Sequence, residues 1–494
     1  MIYHSTRDRS ISLSAAQAIT QGLSTDGGLF VPERFPSLSA DDLNGLLGLS
    51  YQERAARIMA LFLEDFTEEE LRGFADGAYG PRFDCAEIAP VRPVEDGLSI
   101  LELWHGPTSA FKDMALQMLP YLLTSSMRKT GEKKQVCILT ATSGDTGKAA
   151  LEGFRDIPGT KIMVFYPKDG VSDVQALQMT SQEGNNVGVS AVVGNFDDAQ
   201  AGVKAIFSDP AFRAELEDRG WFLSSANSIN WGRLLPQIVY YISAYCDLVN
   251  RNAVSMGDKV NFCVPTGNFG NILAGFYASR MGLPVGRLIC ASNANDVLTD
   301  FIRTGVYDRN RPFFTTISPS MDILVSSNLE RLLYHLSGCD DAFVRSCMKE
   351  LDAQGSYRVP DAIMEDLRSL FACGCCAEED TKAQIRDLYE STGYLLDTHT
   401  AVAYRVLRDY RSGTGDATPA VVVSTASPYK FCGAVLEALG EHGTGAGVEM
   451  IDALHARTGA AVPAPLAALK GKSVRFTDCV EKKEMLQAVR DFIG

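Results

Sequence analysis

From Leu98 onward, short apolar runs rich in Val and Ile alternate with longer stretches whose apolar positions recur at helical spacing. The runs are Val136 to Thr140, Lys161 to Tyr166, Val187 to Val193, Val260 to Val264, Arg287 to Ala291 and Ala420 to Val423. Strands alternating with helices predict βαβ units wound around parallel sheets. They form two groups separated by a helix-like region, Leu234 to Asn252. The predicted fold class is therefore α/β, with two parallel-sheet lobes and a ligand cleft between them. Residues 1–95 lack the alternation and predict a mostly helical N-terminal domain, with helices over Ile11 to Gln21 and Tyr51 to Phe74 and a turn at Gly27-Gly28. The first lobe is expected over 96–250 and the second over 251–494, the latter carrying a charged helical insertion at about 321–405.

Composition narrows the function. The chain has 494 residues, too many for one compact core, and its net charge of −15 argues against nucleic acid or an anionic membrane as partner. An anionic substrate must then meet local cations. Met1 to Ser10 lacks the apolar run of a signal peptide, and no stretch approaches the roughly 20 apolar residues of a membrane span, so the cytoplasm is expected. Twelve cysteines, several alone in apolar runs (Cys137, Cys263, Cys290), predict reduced thiols. Cys373, Cys375 and Cys376, even with Cys339 and Cys347, lack the paired spacing and histidines of a metal site, and no metal is expected.

Five segments carry candidate chemistry, each with a plainer structural reading beside it. Lys112 follows His105-Gly-Pro-Thr-Ser-Ala-Phe111 and precedes the apolar stretch Met114 to Leu123. Desolvation by Phe111 would lower its pKa and suit its amine to condense with an aldehyde; a solvated lysine in a first helical turn is the alternative. Val136 to Thr140 opens into Ala141-Thr142-Ser143-Gly144-Asp145-Thr146-Gly147, whose N–H groups suit a carboxylate or phosphate, or form a capped turn only. Val260 to Val264 leads to Thr266-Gly267-Asn268-Phe269-Gly270-Asn271, where two glycines let the backbone wrap a phosphate closely. Neither a Walker loop nor the full dinucleotide glycine spacing is present. After Ala420 to Val423, the hydroxyls of Ser424 and Thr425 emerge at a strand end, where one could bond a pyridine nitrogen without protonating it. Ser225 to Arg233 clusters amides, hydroxyls and a guanidinium suited to bidentate phosphate binding; the plainer readings of these last three segments are a βα turn, a turn, and a helix cap at Asn227 or Ser228.

In this order the segments resemble those of the threonine synthase family, fold-type II pyridoxal-phosphate enzymes related to serine and threonine dehydratases. The resemblance begins at Gln21-Gly-Leu-Ser-Thr-Asp-Gly-Gly-Leu-Phe-Val-Pro32 and passes through the five segments, Tyr166-Pro-Lys168 and Gly194-Asn-Phe-Asp-Asp198. It ends with Ser318-Pro-Ser-Met-Asp-Ile323, Ser327-Asn-Leu-Glu-Arg331 and Asp397-Thr-His-Thr400. It implies the fold-type II architecture, pyridoxal 5'-phosphate held on Lys112 as a Schiff base, and O-phospho-L-homoserine as substrate, with threonine and phosphate as products. It further implies that Gly267, Asn268, Phe269, Gly270 and Asn271 cradle the cofactor phosphate and that Thr425 faces the ring nitrogen. Ser143, Gly144, Asp145 and Thr146 would meet the substrate's amino-acid end, and Arg233, Asn227 and Lys168 its phosphate. His105 and His399 divide between structural and site roles. A monomer or homodimer is expected.

The chain departs from the family where Ser427-Pro428-Tyr429-Lys430 replaces a histidine followed by proline, alanine and lysine. Two rival readings are a dehydratase or phospholyase acting on another amino acid and a catalytically idle cofactor-binding protein. The N-terminal segment disfavours the first, and Lys112 in its full motif the second.

Overall fold

The computed structural model describes residues 1–443 and 445–494, the side chain of Asp197 excepted. Two sheets dominate. One has five parallel strands in the order Cys479–Val480, Val187–Val192, Thr160–Pro167, Gln135–Ala141 and Trp221–Ser224. The other has six, in the order Phe371–Cys375, Val285–Ser292, Val260–Pro265, Ala420–Ser424, Leu98–Glu102 and Val91–Glu95, all parallel except the last pair. Val187–Val192, Val260–Pro265 and Ala420–Ser424 are buried along their whole length, as expected where helices cover both faces of a parallel sheet. All six strands predicted from apolar runs form. The long helix Trp231–Asn250, whose first amide N–H groups are capped by Asn230 Oδ1 at 2.8 Å from Gly232 N, is buried almost all round. No described helix is long and apolar enough to cross a membrane.

Sheet membership crosses the boundaries expected at 96–250 and 251–494. Leu98–Glu102 pairs with Ala420–Ser424 in the six-stranded sheet, and Cys479–Val480 returns to the five-stranded one. The segment that leads to Lys112 is thus anchored to the opposite sheet from the Ser143–Thr146 turn.

Residues 1–95 are not mostly helical throughout. Ile2–Ser5, Ser12–Ser14 and Phe30–Pro32 form an antiparallel sheet, and the helix expected from Ile11 begins only at Ala15. Ser14 and Gln17 form a reciprocal capping box that fixes this start, and Ser12-Leu-Ser14 is left to pair with the first strand. The helical pattern at Tyr51 to Phe74 splits into Tyr51–Ala60 and Glu68–Ala78, each opened by its own capping box. The insertion at 321–405 is mostly helical, with two strands, Ser356–Arg358 and Phe371–Cys375. The latter extends the six-stranded sheet and sets Cys373 opposite Cys290.

Candidate active site

The functional segments converge at the carboxyl ends of the strands, where open α/β sheets place their ligands. Strand pairing positions Lys112. Phe111 N–H donates to Thr425 O at 2.8 Å and Ser427 N–H to Ser109 O at 3.1 Å, so the lysine segment is laid against the end of Ala420–Ser424. Asp113, fully buried, accepts from Thr108 N (2.8 Å), Thr108 Oγ1 (2.8 Å) and Gln117 Nε2 (3.2 Å). Burial pushes its carboxyl up to about 6 despite the Thr108 donors. A Cβ at Gly106 would lie 2.6 Å from Asp113, so only glycine permits this loop. The Lys112 amine stands 4.4 Å from the Phe111 ring centroid. Enclosure by protein, followed by repulsion from Arg233, brings it down to about 7. At neutral pH a large share is the free amine, the form that condenses with an aldehyde.

A small cavity at Lys112 is lined by Pro265 to Asn271, Arg233, Thr425 and His399, with Ser228, Gln237, Ser320 and Met321. Phe269 takes a left-handed backbone (φ 60°) that turns the loop into the helix Gly270–Met281. This aims the helix N-terminus and its free N–H groups at the cavity. A Cβ on Gly267 would lie 2.4 Å from Ser320 O, so the loop can pass only as glycine. Asn271 Oδ1 accepts the hydroxyls of Tyr240 (2.6 Å) and Tyr241 (2.8 Å), which leaves its buried Nδ2 without a protein partner. The Arg233 guanidinium is buried, spends Nη1 on Ala226 O at 2.6 Å, and has an unpartnered Nε. No carboxylate pairs with Arg233 among the described residues, and burial lowers it to about 10, so it stays charged at neutral pH. Buried donors without acceptors are costly, and an anion at this place would satisfy them. An amine near pKa 7, a glycine loop under a helix N-terminus, and orphan donors together fit a phosphorylated aldehyde, as pyridoxal phosphate is. The Thr425 side chain lines the same cavity.

Ser143 to Thr146 are not among the residues that line this cavity, although the Asp145 charge acts on Lys112. Gly144 (φ 130°) begins the helix Asp145–Phe154, and a Cβ there would strike Gln175 at 2.5 Å. Asp145 Oδ1 accepts from Gln175 Nε2 at 2.8 Å and pairs with Lys430 Nζ at 3.0 Å. Burial opposes its charge, but Lys430 and Gln175 hold its pKa below the ordinary carboxylate value. Lys430, also fully buried, donates to Thr108 O (2.9 Å) and Gln178 Oε1 (2.8 Å). Lys430 therefore joins the Asp145 turn to the loop that carries Lys112.

The other predicted residues divide. His399 reaches the cavity: its Nε2 accepts Ser320 N–H at 3.1 Å, which assigns the ring proton to Nδ1, 3.1 Å from Asp397 Oδ1. His105 does not. It is held between Asp84 (2.6 Å) and Glu102 (2.9 Å) and stacked on Trp104, and against the cost of burial the two carboxylates raise it to about 9. Asn227 and Lys168 are outside the lining, and Lys168 is exposed. Ser228, Ser320 and Met321 fall within the segments Ser225 to Arg233 and Ser318 to Ile323 but were given no role of their own, and Gln237 was not singled out from sequence. Gln237 is one helical turn beyond Arg233, a spacing that could have disclosed it.

Comparison with known proteins agrees along the whole chain. Residues 2–79 match the family "Threonine synthase N terminus", 94–426 match "Pyridoxal-phosphate dependent enzyme", and 400–493 match "Threonine synthase, C-terminal". The human protein "Threonine synthase-like 1" is 43% identical over 434 residues, covering 86% of this chain and 58% of that protein, so this chain spans under two thirds of that relative's length. "Threonine synthase" of Pseudomonas aeruginosa is 41% identical over 439 residues, 89% of this chain and 90% of that one. The crystal structure of PLP-bound threonine synthase from Brucella melitensis superposes with a TM-score of 0.88 at 37% identity, covering 100% of this chain and 99% of that one.

Proposed function

The chain belongs to the threonine synthase family of pyridoxal-phosphate dependent enzymes, and on that premise we propose that it converts O-phospho-L-homoserine and water into L-threonine and phosphate. The observation that carries this reading is one lysine amine near pKa 7 beside a buried, carboxylate-free guanidinium and a glycine-rich helix start. Pyridoxal 5'-phosphate, when bound, supplies an electron sink for negative charge developing at the substrate's α carbon. The chain's own residues do the rest. Lys112 binds the cofactor aldehyde, and Gly267 to Asn271 take its phosphate. The free Lys112 amine, with a pKa of about 7, would be able both to remove the α proton and to return one. Loss of a β proton would let the γ phosphate leave, a proton delivered to the γ carbon would make the methyl group, and water would then add its hydroxyl at the β carbon; the protons lost from the α carbon, the β carbon and water are balanced by those gained at the γ carbon, the α carbon and the released phosphate. Arg233 holds the substrate phosphate, with Ser143 to Thr146 at the amino-acid end. Thr425, in the cavity lining, would offer the cofactor's ring nitrogen a hydroxyl and not a carboxylate, a partner that does not protonate it. Asn227 and Lys168, outside the cavity lining, are assigned to the phosphate only if the site closes on substrate.

The enzyme is expected to work in the cytoplasm as a monomer or homodimer. The experiment is a Lys112→Ala variant reconstituted with cofactor: the visible absorbance of the lysine-bound cofactor and all threonine formation should vanish. Full turnover by this variant would overturn the assignment.

A further inference from the structure

Arg331 is fully buried, yet it binds no carboxylate among the described residues. Its neighbour Glu330 is taken by Arg7 at 2.7 Å and by Thr6. All three branches of the guanidinium go to polar atoms of different segments. Nε donates to Phe30 O at 3.0 Å, in the N-terminal sheet. Nη2 donates to Ile229 O at 2.6 Å, in the segment that leads to Arg233. Nη1 donates to Asn328 Oδ1 at 2.6 Å.

Asn328, itself fully buried, passes the connection on. With its oxygen engaged by Arg331, its Nδ2 is fixed toward Asn268 O (3.0 Å) and Ser228 Oγ (3.1 Å), and its backbone N–H also meets Asn268 O at 3.2 Å. Asn268 and Ser228 both line the cavity. The carbonyl of Gly267, one residue earlier, is taken by Ser326 Oγ at 2.8 Å, from the same segment. A guanidinium suits such a task because its donors are planar and fixed in direction, whereas an ammonium would leave the amide free to rotate.

We infer that Arg331 and Asn328 are positioning residues that hold the 267–271 loop and the Ser228 segment in register for the cofactor phosphate, with the N-terminal sheet as the fixed point. This rests on the placement of the cofactor phosphate proposed above. It also gives the N-terminal unit a function in the site: the carbonyl of Phe30, in the Gly-Leu-Phe-Val-Pro run, is one support of the clamp. A glycine-containing loop does not hold one conformation by itself, and external hydrogen bonds must supply the order that the phosphate requires.

The test compares wild type with Asn328→Ala and Asn328→Asp. The aspartate keeps an acceptor for Arg331 and replaces only the donor that faces Asn268 and Ser228. Dissociation constants for pyridoxal phosphate are measured on the apo proteins by absorbance titration, beside apo melting temperatures and the phosphorus resonance of the bound cofactor. Asn328→Asp should melt near wild type in the apo form, bind the cofactor roughly tenfold or more weakly, and shift the phosphorus resonance; Asn328→Ala should lose at least as much affinity. Wild-type affinity and an unshifted resonance in folded Asn328→Asp would overturn the inference while leaving the cofactor site intact. Failure of the wild type to bind pyridoxal phosphate would overturn the cofactor placement, and this inference with it.

Discussion

Lys430 Nζ lies 3.0 Å from Asp145 Oδ1 with both side chains almost wholly buried, so one ion pair ties the turn after Gln135–Ala141 of one sheet to the loop beyond Ala420–Ser424 of the other. Removing one partner strands the other. Lys430→Met should destabilise the protein by about 3–5 kcal/mol, read from the denaturant midpoint. The pH sign follows from the lowered Asp145 pKa: its contribution is present above the unfolded carboxylate value, about 3.9, and disappears as pH falls through the folded value. Without Lys430 the acid loss of stability should begin at higher pH.

Lys112 should be the amine of the apo protein that reacts at the lowest pH. With a pKa of about 7, its acylation, followed by mass spectrometry, should be half-maximal near that pH, whereas ordinary lysines follow a value of about 10.4. Because folding lowers this pKa, the unfolded chain holds the extra proton between the two values. Lys112 should therefore contribute a gain in stability across that window as pH rises, read as the difference between the pH–stability curves of wild type and Lys112→Met.

His105 provides the opposite sign. Asp84 and Glu102 raise it to about 9, so its stabilisation is complete below the unfolded value, about 6.5, and is lost as pH rises through about 9. A proton NMR titration should show the raised value. His105→Ala should lower the melting temperature with cofactor affinity unchanged, because the ring lies outside the cavity.

Much of the fold was legible because fully buried parallel strands leave an unmistakable apolar run, and all six predicted runs form strands. Sheet membership was not. Leu98–Glu102 is local in sequence to Lys112 but pairs with a strand more than 300 residues away, and a strand's own pattern does not name its partner. The same limit explains Phe371–Cys375, hidden in a helical stretch, and Ser12–Ser14, hidden before a capping box. In the site, Lys112, Gly267 to Asn271, Thr425 and Arg233 converge because strand-end loops share one edge of their sheets. Ser228 and Ser320 lay within segments read from the sequence but received no individual role, because a serine in a loop has no signature until its neighbours are known.

Arg233 should act on substrate phosphate more than on the chemistry that follows. Arg233→Met should raise KM for O-phospho-L-homoserine by a factor of about 10 to 100, the equivalent of one to two charge-assisted hydrogen bonds, with a smaller change in kcat. Arg233→Lys should recover only part, since an ammonium cannot reproduce the fork. Steady-state kinetics of both variants check this.

The most direct test is product balance. Purified protein loaded with pyridoxal phosphate is incubated with O-phospho-L-homoserine, and phosphate and threonine are measured together. The account predicts that they appear in equal amounts. Phosphate released with a 2-oxo acid and without threonine would contradict it and indicate a phospholyase.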